Sequence, residues 1–126
     1  MTVLTTVAES VVAAVAARDG AALSKALTPD VALEALLPSR VLIGHGPQEV
    51  VAAFDRWFGG LARFDLLAAT AGEIGPRLHL RWRFRAQDPT LGEGQEHLVE
   101  QQLYADTDAA GRISRIRLLC SGFCAE

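Results

Sequence analysis

The stretch LHLRWRFR, residues 78–85, decides how this chain folds. Leu78, Leu80, Trp82 and Phe84 alternate with His79, Arg81, Arg83 and Arg85. A strand turns successive side chains to opposite faces, so this one carries an apolar face and a basic face. Either the apolar face is core and the basic face is solvated, or the basic face is the polar wall of a ligand pocket. A nucleic-acid surface is disfavoured. The net charge is −3, and such surfaces depend on surplus Lys and Arg. Lys25 is the one lysine, so the positive charge is nearly all arginine, which suits bidentate contact with carboxylates.

Turn signals on either side set the neighbouring strands. Gly75-Pro76, a loop over 88–94, and Asp108-Ala-Ala-Gly111 separate predicted strands at 62–74, 77–87, 95–106 and 112–121. Pairing 77–87 with 95–106 so that like faces meet sets Phe84 opposite Val99, Trp82 opposite Gln101 and Leu80 opposite Leu103. On the other face Arg83 meets Glu100, Arg81 meets Gln102 and His79 meets Tyr104. For the last strand, Ile113 is set beside Ala105. Ser114, Ile116, Leu118 and Cys120 then join the Arg81 face, and Arg115, Arg117 and Leu119 join the Trp82 face. Both faces are then mixed, as in a ligand pocket.

Upstream the periods are helical. Val3, Val7, Val11 and Val15, with Leu4 beside them, mark a first helix that Asp19-Gly20 ends. Asp19 can cap a short second helix at 21–27, before Pro29. Residues 31–38 and 40–44 read as extended. GPQEVVAAFDRWFGG, residues 46–60, is the clearest helix, with Pro47 in its first turn and Val50, Val51, Phe54, Trp57 and Phe58 as its stripe. Helices first and antiparallel strands last indicate an α+β fold. A chain of 126 residues, half of them hydrophobic, fits one domain over 1–126. The first residues lack a basic n-region before Arg18, Glu9 interrupts the apolar run, and no stretch is long enough to span a membrane. The expectation is a cytoplasmic protein, with Cys120 and Cys124 as free thiols.

The order of elements resembles the nuclear transport factor 2-like superfamily, and within it the SnoaL-like group of polyketide cyclases and ketosteroid isomerase-like proteins. GHGPQEVVAAFDRWF (44–58), LRWRF (80–84), VEQQLYAD (99–106) and GRISRIRLLCSGF (111–123) carry the resemblance, which spans nearly the whole chain. It implies a cone-shaped α+β barrel, a curved antiparallel sheet wrapped around about three N-terminal helices with a pocket at the open end. It also implies a concave Arg81 face. Two family features are missing. Epoxide hydrolases of this fold carry Arg-x-Asp on a middle strand; Arg81 matches the Arg, but Arg83 replaces the Asp. Their acid on the last strand falls near Leu118. No residue matches the Asp or His base of the cyclases and isomerases.

Candidate chemistry follows from the Arg81 face. Glu100 is a general base if desolvated, or the salt-bridge partner of Arg83. His79 is a proton shuttle or a rim histidine. Tyr104 is an oxyanion donor or a half-buried structural tyrosine. Arg81, Arg83, Gln102, Trp57, Phe58, Leu118 and Cys120 are the expected ligand contacts, with core packing the alternative for Trp57 and Phe58. Cys120 is a reactive thiol or a core cysteine, and the cysteine spacing matches no zinc pattern. No metal or cofactor is expected. Two functions stay open: a cofactor-independent isomerase, cyclase or dehydratase acting on a hydrophobic carbonyl compound, or a non-catalytic binding or dimerisation module. The expected partners are a small hydrophobic molecule and a second copy, with no nucleic acid or membrane. If the Trp82 face is convex, Leu80, Trp82, Phe84, Val99, Leu103 and Leu119 form a patch that a homodimer would cover.

Overall fold

The structure is a computed structural model that describes residues 3–126, with side chains from Val7 onward. The side chains of Val3 and Leu4, on the predicted apolar stripe, lie outside the described residues. Three helices come first: α1 (Val3–Ala16), α2 (Gly20–Lys25) and, after the strands β1 (Leu27–Leu37) and β2 (Arg40–His45), α3 (Gly46–Phe58). Then follow β3 (Arg63–Ile74), β4 (Arg77–Gln87), β5 (Glu96–Thr107), β6 (Ile113–Cys120) and the two-residue β7 (Cys124–Ala125).

Each helix has a local cause. Asp19 caps α2 by accepting from the Ala22 N–H at 3.0 Å. α3 begins with Pro47 in its first turn, and Glu49 accepts from the His45 N–H at 2.9 Å. α1 ends with Arg18 at φ 54, and the Asp19 N–H closes back on the Ala14 carbonyl at 2.9 Å.

The seven strands form one curved, unclosed sheet in the order β2-β1-β6-β5-β4-β3, with β7 beside the start of β5. The β1–β6 pair is parallel and the other pairs are antiparallel, so the sheet is mixed. The β4–β5 register is the predicted one, with Trp82 opposite Gln101, Arg83 opposite Glu100 and His79 opposite Tyr104. β1 begins earlier than expected. Pro29 lies inside the irregularity between Leu27 and Ala32, where a missing N–H is tolerated.

The expected register of the last strand is corrected. Ile116 pairs with Ala105 and Ile113 with Thr107, across a bulge. Ile113 and Ile116 are both buried, at 1% and 3% exposure. Residues three apart face opposite ways on a regular strand, so burying both requires the extra residue. The three-residue slip reverses every later side chain. Leu118 and Cys120 thus share the face of Trp82, while Arg115, Arg117 and Leu119 join Arg81.

Burial fixes which face is inside. Leu80, Trp82 and Phe84 are at most 1% exposed, and α3 packs on them through Phe54–Trp82 and Phe58–Phe84 ring contacts. The expectation of a concave Arg81 face is therefore corrected: Trp82 faces the interior and Arg81 the outside. The patch expected to be covered by a homodimer is core, apart from Leu119 on the opposite face.

Candidate functional site

A cavity of about 370 Å³ opens between the sheet's inner face, the last turn of α3 and the tip of the β1–β2 hairpin. Leu37, Phe58, Val99 and Phe123 form its apolar wall. Val99 and Cys120 come from the inner face of β5 and β6, Trp57 and Phe58 from α3. Phe123 belongs to the kink between β6 and β7. Gly122 makes that kink at φ 74, with its Cα close enough to Pro38 that a Cβ would lie 2.7 Å from Pro38 Cγ. Ser39, Arg40 and Arg56 add polar lining.

Few polar groups stand on the inner face. Gln101, fully buried, accepts from Trp82 Nε1 at 3.0 Å and donates through Nε2 to Cys120 Sγ at 3.5 Å. The Gly122 N–H donates to the same sulfur at 3.4 Å. His97, 6% exposed, alternates along β5 with Val99 and Gln101 on that face, and its Nδ1 finds no partner among the described residues. Trp57 is a lining residue, but its Nε1 is itself buried and likewise finds no partner among the described residues. Such groups cost free energy unless something satisfies them.

The residues predicted for the site divide between the two faces. Trp57, Phe58 and Cys120 line the cavity. Leu118 is on the inner face but packed into the core at 3% exposure. Glu100, His79, Tyr104, Arg81, Arg83 and Gln102 gather on the outer face. There Arg83 donates to Glu100 at 2.9 Å, His79 Nε2 lies 3.2 Å from Gln102 Oε1, and the His79 and Tyr104 rings are 4.9 Å apart. These contacts lie on the outer face, apart from the cavity. Of the two cysteines, both are free, and Cys124 is exposed.

His97, Gln101, Arg40, Arg56 and Phe123 were not singled out in advance. The signal for the first two was present in the pairing, since His97 and Gln101 fall on the Trp82 side of the predicted hairpin. Arg40, Arg56 and Phe123 meet only through tertiary packing, and no local pattern brings them together.

A second cavity of about 320 Å³ lies among α1, α2 and α3, and Phe58 lines both. Its lining includes Asp19, Asp55 and Arg18. Arg18 donates to the Phe58 and Leu61 carbonyls at 3.1 and 2.9 Å and stands over the Phe64 ring. Of these two, the first is the one with inner-face strand residues in its lining, Val99 and Cys120. Beyond it, Arg85 clasps Glu126 just past β7 with two hydrogen bonds, at 2.7 and 3.1 Å. These bonds hold the Glu126 carboxyl below the usual carboxylate range and the Arg85 guanidinium above its ordinary value. Among the described residues no three His, Cys, Asp or Glu side chains gather as a metal site.

Searches by sequence found no matching family model and no matching curated protein. Solved structures match throughout the chain. An NTF2-like protein from Burkholderia thailandensis superposes with TM-score 0.76 at 15% identity, covering 96% of this chain and 92% of that one. A candidate SnoaL-like polyketide cyclase from Shewanella denitrificans gives TM-score 0.72 at 16% identity, with coverage of 96% and 92%. A steroid delta-isomerase from Pseudomonas aeruginosa gives 0.65 at 18%, with coverage of 95% and 80%. The fold is that of the NTF2-like, SnoaL-like proteins.

Proposed function

We propose that this protein binds a small, largely apolar molecule in the cavity at the open end of the cone. One observation carries the reading: a cavity of about 370 Å³ at the sheet's inner face whose wall is mostly apolar, with Leu37, Trp57, Phe58, Val99 and Phe123 in its lining. Apolar walls with a few convergent polar groups are what small-molecule sites have in common. Trp57, Phe58 and Val99 supply contact area, and Ser39 and Cys120 supply polar atoms. The test is calorimetric titration with a neutral aromatic probe, 2-naphthamide. Wild type should bind it, and Cys120→Trp, which fills the cavity from the sheet side, should lose that binding by tenfold or more. Absence of binding to folded wild type, or full binding by the folded variant, sinks the reading.

A second reading, a cofactor-independent isomerase or cyclase acting on a hydrophobic carbonyl compound, is favoured by His97. It is the buried histidine of the inner face, with one ring nitrogen unpartnered. An imidazole nitrogen without a hydrogen-bond partner has a lone pair that can accept a proton. His97→Gln should then abolish turnover of a carbonyl substrate while leaving 2-naphthamide binding in place.

We further propose a cytoplasmic location and a homodimer. The free thiols suit a reducing, cytoplasmic setting. A homodimer would now form through the outer face, where Val41, Leu36 and Leu119 are neighbours on three adjacent strands at 55%, 48% and 51% exposure. Light scattering on wild type and Leu119→Arg tests it: a dimer converted to a folded monomer is the expected pair of results.

A further inference from the structure

We infer that the cavity takes an amphipathic anion, an apolar body bearing a carboxylate, with Arg40 and Arg56 holding the charged end. This rests on the pocket reading above. The chain as a whole is acidic, at net charge −3, yet the lining of this cavity contains two arginines and no carboxylate. Arg40 begins β2 at the hairpin tip and Arg56 stands on α3, so two separate elements bring their charges to one opening. Five of the eleven arginines, Arg63, Arg77, Arg83, Arg85 and Arg112, form ion pairs. Among the described residues Arg40 and Arg56 form none, and each is exposed. Their guanidinium donors are thus free for an incoming oxyanion.

The neighbouring cavity provides the contrast. It has Asp19 and Asp55 in its lining, and its arginine, Arg18, is already committed to two backbone carbonyls. That commitment also serves the first cavity. The C-terminal end of α3 carries partial negative charge that would repel an anion, and Arg18 covers the Phe58 carbonyl there. Apolar Leu37, Phe58, Val99 and Phe123 line the same space, so the favoured ligand has an apolar body and one anionic end.

The experiment compares two probes of the same shape, 2-naphthoate and 2-naphthamide, by calorimetry on wild type and on an Arg40→Gln/Arg56→Gln double variant. Wild type should bind the carboxylate about tenfold or more tightly than the amide, with the preference falling as salt is raised. In the double variant the two probes should bind alike. Equal affinities in wild type, with the amide still bound, overturn the anion inference and leave the pocket reading standing. A carboxylate preference that survives in the folded double variant also overturns it. Binding of neither probe overturns both.

Discussion

The indole N–H of Trp82 donates to Gln101 Oε1 at 3.0 Å from the directly opposing position on the next strand, and both side chains are almost wholly buried. Gln101 passes its own N–H on to Cys120 Sγ in the cavity lining, so the hydrogen bond in the core also positions part of the site. Removing one partner leaves a buried group unsatisfied, whereas removing both does not. Gln101→Leu should therefore cost about 1–3 kcal/mol, and the Trp82→Phe/Gln101→Leu pair should cost less than the sum of its parts. Trp82→Ala should cost about 3–5 kcal/mol through the cavity it leaves. Urea midpoints of the four variants check this. Additive single and double effects would show that the bond contributes nothing.

Arg83 and Glu100 behave differently because their pair stands in water, with side chains 52% and 34% exposed. Glu100→Gln and Arg83→Ala should each shift stability by no more than about 1 kcal/mol. Neither change, nor Tyr104→Phe, should alter 2-naphthamide affinity. A tenfold loss of binding in Glu100→Gln or Tyr104→Phe would move the functional site to the outer face.

The contrast between these pairs marks what was legible in the sequence. Alternation gave the β4–β5 register residue for residue, because a hairpin with one apolar face has a single way to match like with like. It did not say which face pointed inward. With Ile113 set opposite Ala105, the residues Ile116, Leu118 and Cys120 fall on the arginine side, as the wall of a pocket there would need. The bulge near Thr107 that reverses them has no signature in the sequence beyond two isoleucines three apart. Trp57, Phe58 and Cys120 were found as lining because a helix stripe and a strand end must meet the core somewhere. Arg40 and Arg56 were not, since their meeting depends on how the β1–β2 hairpin tip folds over α3.

Gly122 is held at φ 74 between β6 and β7, with Pro38 against it. Gly122→Ala would bring a Cβ to 2.7 Å from the Pro38 ring, which has little freedom to yield. The left-handed conformation itself costs a non-glycine residue about 1–2 kcal/mol. The variant should lose about 2 kcal/mol or more in urea denaturation. Because Gly122 and Pro38 both line the cavity, it should also weaken 2-naphthamide binding. Gly60→Ala is the control: no atom lies within 4 Å of the added carbon, so its effect should stay within about 0.5 kcal/mol.

Glu126 follows β7, whose attachment to β5 includes a long Glu126 N–H to Glu96 carbonyl contact at 3.4 Å. The Arg85 clasp holds the Glu126 carboxyl below its ordinary range. A carboxyl depressed in the folded state adds stability above its unfolded value and loses it as pH falls through the folded value. The attachment of β7 should thus be complete above about pH 5 and weaken at more acid pH. Carboxyl-carbon NMR titration should give Glu126 a lower midpoint in wild type than in Arg85→Gln. Amide exchange at Ala125 and Glu126 should quicken in the variant at neutral pH, where the clasp is otherwise intact. Phe123 and Gly122, in the same kinked segment, line the cavity, so loosening β7 should also weaken probe binding in Arg85→Gln. Identical midpoints in the two proteins would show that the clasp does not hold this segment in solution.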